Sequence, residues 1–129
     1  MTKEQERLRE LYSMMAGIPD ERVNLSRWKC GALACAGGSA CQYPPFIAEG
    51  LMLKNGEPFF EDEGFALQAF FGLTNNSAAD LFDSRFEFED LSDRRVFLIR
   101  LRGQLVAGAI ITQARSDELA KNEEAGVLA

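Results

Sequence analysis

Apolar residues recur at spacings of three and four from Leu8 through Leu11 and Tyr12 to Met15, with Glu and Arg between them. That period puts one apolar stripe on a helix and leaves the charges outside. Thr2 is placed to cap this helix, Gln5 completes a capping box, and Gly17 followed by Pro19 ends it. Asp20 to Trp28 alternates only in part and reads as a connector with one short extended piece. From Cys30 to Cys41 almost every side chain is small, and Leu33 is the only bulky one. A solvated linker would be small and polar, rich in Ser and Gly rather than Ala and Cys. Read as a helix over Lys29 to Gln42, the stretch places Cys30, Ala34, the Gly37/Gly38 pair and Cys41 near one face. The expectation is a buried central helix that its neighbours approach closely. Two interior glycines cost a helix about 1 kcal/mol each relative to Ala, and close packing is the expected compensation.

Pro44-Pro45 stops that helix, and Phe46 and Ile47 form a short turn closed by Gly50. Leu51 to Phe60 reads as a β-hairpin turning at Asn55-Gly56, with Pro58 confining the second strand to an edge. Such a hairpin is marginal alone and needs helices behind it. Asp62 is a candidate cap for a helix from Glu63 to Phe71, closed by Gly72, in which Phe65, Leu67, Ala69, Phe70 and Phe71 give a wide apolar surface. Thr74 caps a short helix over Asn75 to Phe82. Ser84 to Ser92 is polar, with Phe86 and Phe88 alternating with Glu87 and Glu89 as in a short extended segment. Ser92 caps a helix from Asp93 that Gly103 is placed to break, and a C-terminal helix follows over Leu105 to Leu119. Lys121 to Ala129 is low in bulk and expected to fray. The fold class is mainly α: a compact helical single domain over residues 1–129 with one small hairpin around residues 51–60.

Composition narrows the functions. A net charge of −6 makes direct nucleic-acid or anionic-membrane binding unfavourable. The two short helices around Gly72 have the rhythm of a helix-turn-helix, yet Asn75 to Phe82 holds no basic residue. No apolar run reaches membrane-spanning length and the N-terminus has no apolar signal core, so the cytoplasm is the expected compartment. Histidine is absent, which removes the commonest general base and metal ligand. Cys30, Cys35 and Cys41 are odd in number and wrongly spaced for zinc, so they read as buried structural thiols. A nucleophilic Cys30 would lack a partner base. No catalytic residue, cofactor or metal site is assigned. Glu61-Asp62-Glu63 could hold a divalent cation, but a solvated acidic turn is the simpler reading.

Charge distribution is the feature that departs from background. From Glu57 to Asp93 there are ten acids and a single base, Arg85, for a net of −9. The flanking segments are each slightly positive. All the net negative charge thus sits in one third of the chain, interleaved with Phe. A solvated acidic face over an aromatic core is one reading. The other is a docking surface for a basic protein, with Glu61, Asp62, Glu63, Asp83, Glu87, Glu89 and Asp90 as the partner-binding carboxylates.

The pattern Trp28-x-Cys30-Gly31-x-x-x-Cys35-x-x-Gly38, with Gly50-Leu51, Gly64-Phe65 and Phe70-Phe71-Gly72-Leu73 later, resembles a family of small phage and bacterial proteins of unknown function. The resemblance covers roughly residues 24 to 102 and carries no catalytic residues. It implies a phage or mobile-element setting. The expectation is a small non-enzymatic acidic protein, a phage-encoded inhibitor of a host nucleic-acid-binding defence complex in the manner of an anti-CRISPR protein. The alternative is a small hydrolase or transferase using carboxylates and a metal.

Overall fold

A computed structural model describes residues 1–19, 36–55, 57–61, 65–82 and 91–126. Helices take up 66% of the described residues, and the sole sheet among them is a two-stranded hairpin. The fold class expected from the sequence is therefore the observed one.

Helix α1 (Lys3–Ala16) begins as the capping box requires: Thr2 Oγ1 accepts from the Gln5 N–H and the Gln5 side chain accepts from the Thr2 N–H. Its stripe of Leu8, Leu11, Tyr12 and Met15 is buried, and Gly17 ends it. The described part of the small-residue stretch is α2 (Ala36–Ala40). Lys29 to Cys35, with Cys30 and Cys35, lies outside the described residues. The helix stops at Ala40, two residues short of the expected Gln42, and Cys41-Gln42 form a turn. Close packing does occur here: a Cβ at Gly37 would sit 2.9 Å from Leu67 Cδ1. Pro44-Pro45 do more than stop a helix. They open α3 (Pro44–Ala48), where a missing N–H costs nothing because the first turn has no acceptor for it. Gly50, at a φ of 104°, lets the Leu51 N–H reach back to the Phe46 carbonyl and close α3.

The hairpin pairs β1 (Met52–Lys54) with β2 (Glu57–Phe59) in the register Leu53 opposite Pro58. Asn55 holds the left-handed φ of 55° that a tight hairpin turn demands. Helix α4 is shorter than expected, spanning Ala66–Phe71. Phe65 precedes it, contributes no side-chain cap and is 69% exposed, so it does not belong to the buried apolar surface. Asp62 and Glu63 lie outside the described residues. Gly72 closes α4 at a φ of 68°. Thr74 Oγ1 then accepts from the Ser77 N–H to start α5 (Asn75–Phe82).

Ser92 caps α6 (Asp93–Ala107), which runs through Gly103 instead of breaking there. A Cβ at Gly103 would meet nothing within 4 Å, so this glycine is on an open face. Leu101 and Leu105 on either side of it are buried and hold the helix together. The break comes at Gly108, and Thr112 caps α7 (Gln113–Glu124). This last helix extends past Lys121, from which the sequence suggests fraying.

Among the described residues α1 and α6 lie at the centre. α1 also packs on α4 and α2, and α6 on α5 and α7. One core cluster joins them, with Phe46, Phe70, Phe71 and Phe97 all but sealed from water. Each such ring contributes about 1.5–3 kcal/mol by burial. Phe46, Phe60, Phe70 and Phe71 meet edge-to-face at centroid distances of 5.0–5.5 Å. That geometry sets the positive edge of one ring against the negative face of the next.

Candidate functional site

The sequence concentrates acid in residues 57–93, and the structure shows where the opposing base goes. Much of it goes inside. Arg7, one position ahead of Leu8 in α1, is 8% exposed. Its guanidinium lies 4.2 Å over the Phe70 ring, while Nε donates to Glu49 at 3.1 Å and Nη1 to the Phe70 carbonyl at 3.1 Å. Arg94, 3% exposed on α6, reaches the end of α1. There Nε donates to the Met15 carbonyl at 3.1 Å and Nη2 to the Ala16 carbonyl at 2.6 Å. Helix α1 has no basic residue in its last turn, so this cation from α6 meets its negative dipole end.

The third inward site surrounds Glu123 of α7, whose side chain is 3% exposed. Arg102 grips it in a two-pronged fork, Nε to Oε2 at 2.6 Å and Nη2 to Oε1 at 3.1 Å, and also donates to Ser116 Oγ at 3.2 Å. Arg95 Nε lies 3.5 Å from Glu123 Oε1. The Tyr12 hydroxyl donates to Glu123 Oε2 from α1. Burial first, and then the Glu123 hydrogen bond and charge, push the Tyr12 phenol well above its ordinary range, with Arg102 and Arg94 opposing. A buried carboxylate is tolerated here because its oxygens are satisfied by charged donors. Tyr43 makes a similar bond to Glu10, which raises its phenol too.

Of the seven carboxylates that the sequence offers for docking, Glu61 is the one within the described residues. It is exposed, just after Phe60, at a left-handed φ of 51°. Asp62, Glu63, Asp83, Glu87, Glu89 and Asp90 lie outside them. Glu57 and Asp80, from the same acidic third, are exposed. Among the described residues the outward charge is accordingly richer in acid than their composition alone implies, because Arg7, Arg94, Arg95 and Arg102 are turned to carbonyls, rings and the carboxylates of Glu49 and Glu123. Sequence reasoning passed over these arginines. Arg7 carried a signal, since it sits four residues before Leu11 on the apolar face.

A groove of about 800 Å³ runs between the start of α1, the α4–α5 turn and the end of α6, past Leu8, Phe65, Leu73 and Ile110. Gln104 lines it and is pinned by donating Nε2 to the Ser77 carbonyl at 2.8 Å. Glu4 is its one charged residue among those described. Cys41 is buried, as expected for a structural thiol. Among the described residues no three Cys, Asp or Glu side chains converge as a metal site would require, and no helix is long and apolar enough to cross a membrane. Comparison with known protein families, characterised proteins and solved structures finds no match to this chain.

Proposed function

We propose that this protein is a small non-enzymatic binding protein that docks a basic partner through its acidic, Phe-rich third. The docking carboxylates are Glu61, Asp62, Glu63, Asp83, Glu87, Glu89 and Asp90. The observation that carries the reading is the division of charge. Residues 57–93 hold a net −9, while Arg7 and Arg94 are buried and Arg95 and Arg102 are drawn into the Glu123 cluster. Cations spent inside do not cover the acids outside. A surface of that sign steers toward basic grooves and competes there with nucleic acid. With the resemblance to small phage proteins, this makes an inhibitor of a host nucleic-acid-binding defence complex the favoured role.

The test separates a patch from mere net charge. Glu87→Lys, Glu89→Lys and Asp90→Lys together change the charge as much as Asp117→Lys, Glu118→Lys and Glu124→Lys, which lie exposed on α7. Binding to a folded basic nucleic-acid-binding protein is measured by calorimetry at two salt concentrations. The reading expects the first triple variant to lose binding, the second to keep most of it, and salt to weaken the wild type. Equal losses in the two variants, or binding that survives both the first reversal and raised salt, would leave the acidic third a solubility feature.

A further inference from the structure

Helix α7 is attached differently from the other long helices. α1 buries Leu8, Leu11, Tyr12, Met14 and Met15, and α6 buries Val96, Phe97, Leu98, Leu101 and Leu105. The buried residues of α7 are Ser116 and Glu123, both polar. Leu119, part-buried, packs on the core between them. The three share one face by their spacing, so the inward stripe of this helix reads Ser-Leu-Glu. Its grip on the molecule is concentrated at one carboxylate. Glu123 joins α7 to Arg102 and Arg95 of α6 and to Tyr12 of α1 at once.

Two further features fit a part that moves as a unit. Helix α6 is closed independently of α7: at Ala109 the chain takes a left-handed φ of 56°, and the Ile110 N–H donates back to the Leu105 carbonyl at 2.8 Å. Contacts made by polar groups are also replaceable. When Arg102 separates from Ser116 and Glu123, water takes over their hydrogen bonds, which it cannot do for Leu or Phe, and Arg95 loses only an ion pair at 3.5 Å. Opening here therefore costs much less than pulling α1 or α6 from the core.

We propose that α7 is a detachable strap, latched by the Glu123 carboxylate, that lifts from α6 while the α1–α6 core stays folded. Losing the carboxylate releases Arg102, Arg95 and Tyr12 together, so the latch works as a single switch and not as a sum of small contacts.

Native-state hydrogen exchange resolved along the chain tests this with the wild type alone. Amides of Ser116 to Glu124 should show protection at least about tenfold below those in the middle of α1 and α6, through an opening nearly insensitive to low denaturant. In Glu123→Gln, protection in α7 should fall by about a further tenfold while α1 and α6 change by less than about threefold. Leu119→Ala should lower α7 protection less than Glu123→Gln does. Equal protection of α7 and α6 in the wild type overturns the proposal. So does a Glu123→Gln variant that loses protection everywhere at once, or a larger effect from Leu119→Ala.

Discussion

Replacing Arg94 by Met tests the seam between the two central helices. Met keeps much of the aliphatic volume of arginine and removes the guanidinium. The Met15 and Ala16 carbonyls then lose donors at 3.1 and 2.6 Å in a site that is 3% exposed. A hydrogen bond from a charged donor contributes about 1.5–3 kcal/mol, and a buried acceptor left bare adds its desolvation cost. Two such bonds put the expected loss at about 3–5 kcal/mol. With a urea slope of about 1.5 kcal/mol/M, the denaturation midpoint should fall by about 2–3 M. Arg94→Lys, which delivers a point charge without the fork, should fall in between. Arg115→Met is the control: its side chain is 51% exposed and pairs with Glu118 on the same helix turn. It should shift stability by less than about 0.5 kcal/mol. An Arg94→Met midpoint within about 0.5 M of the wild type would refute the idea that Arg94 ties α6 to the carbonyl end of α1.

Gly72→Ala and Ala109→Gly should move thermal midpoints in opposite directions. Both positions are left-handed, at φ 68° and 56°, where a Cβ costs about 1–2 kcal/mol. A Cβ at Gly72 would also lie 2.8 Å from Glu4 Cβ, so that variant should lose about 2–3 kcal/mol, whereas Ala109→Gly should gain up to about 1. Tyr12 predicts alkaline sensitivity. Its phenol is held above the unfolded value of about 10, so its contribution is complete below that pH and is lost as pH rises beyond it. The wild type should lose stability by up to about 1.4 kcal/mol per pH unit more than Tyr12→Phe above pH ~10, and parallel pH profiles of the two would count against the Tyr12–Glu123 bond.

The ends of elements were legible because their signals are local. Thr2, Thr74 and Ser92 each accept the hydrogen bond that their position announces, and Asn55 supplies the hairpin's left-handed residue. The apolar stripe of α1 was legible for the same reason. The internal polar contacts were not, because their members are far apart in the chain: Arg94 and Met15 are 79 residues apart, and Tyr12 and Glu123 are 111 apart. A C-terminal helix is legible over Leu105 to Leu119, but its bounds are not: Leu105 lies in the last turn of α6, and α7 runs on to Glu124 with an inward face that is mainly Ser116 and Glu123, so apolar periodicity reads its last turns as a fraying tail. Gly103 misled in the opposite sense. A glycine costs a helix about 1 kcal/mol, which the burial of Leu101 and Leu105 outweighs. Of the proposed docking site, the charge imbalance was legible, and the inward turn of the arginines that sharpens it was not.

That Arg7, Arg94, Arg95 and Arg102 are drawn inside while Glu57, Glu61 and Asp80 are displayed is open to direct measurement. Amide relaxation is recorded with a cationic and then an anionic paramagnetic co-solute, and their ratio reports the local surface potential at each residue. The account predicts the most negative potentials within residues 57–93, including the exposed Glu57, Glu61 and Asp80, and weaker ones along α1 and α7. A potential that is uniform over the surface, or most negative outside residues 57–93, would contradict it.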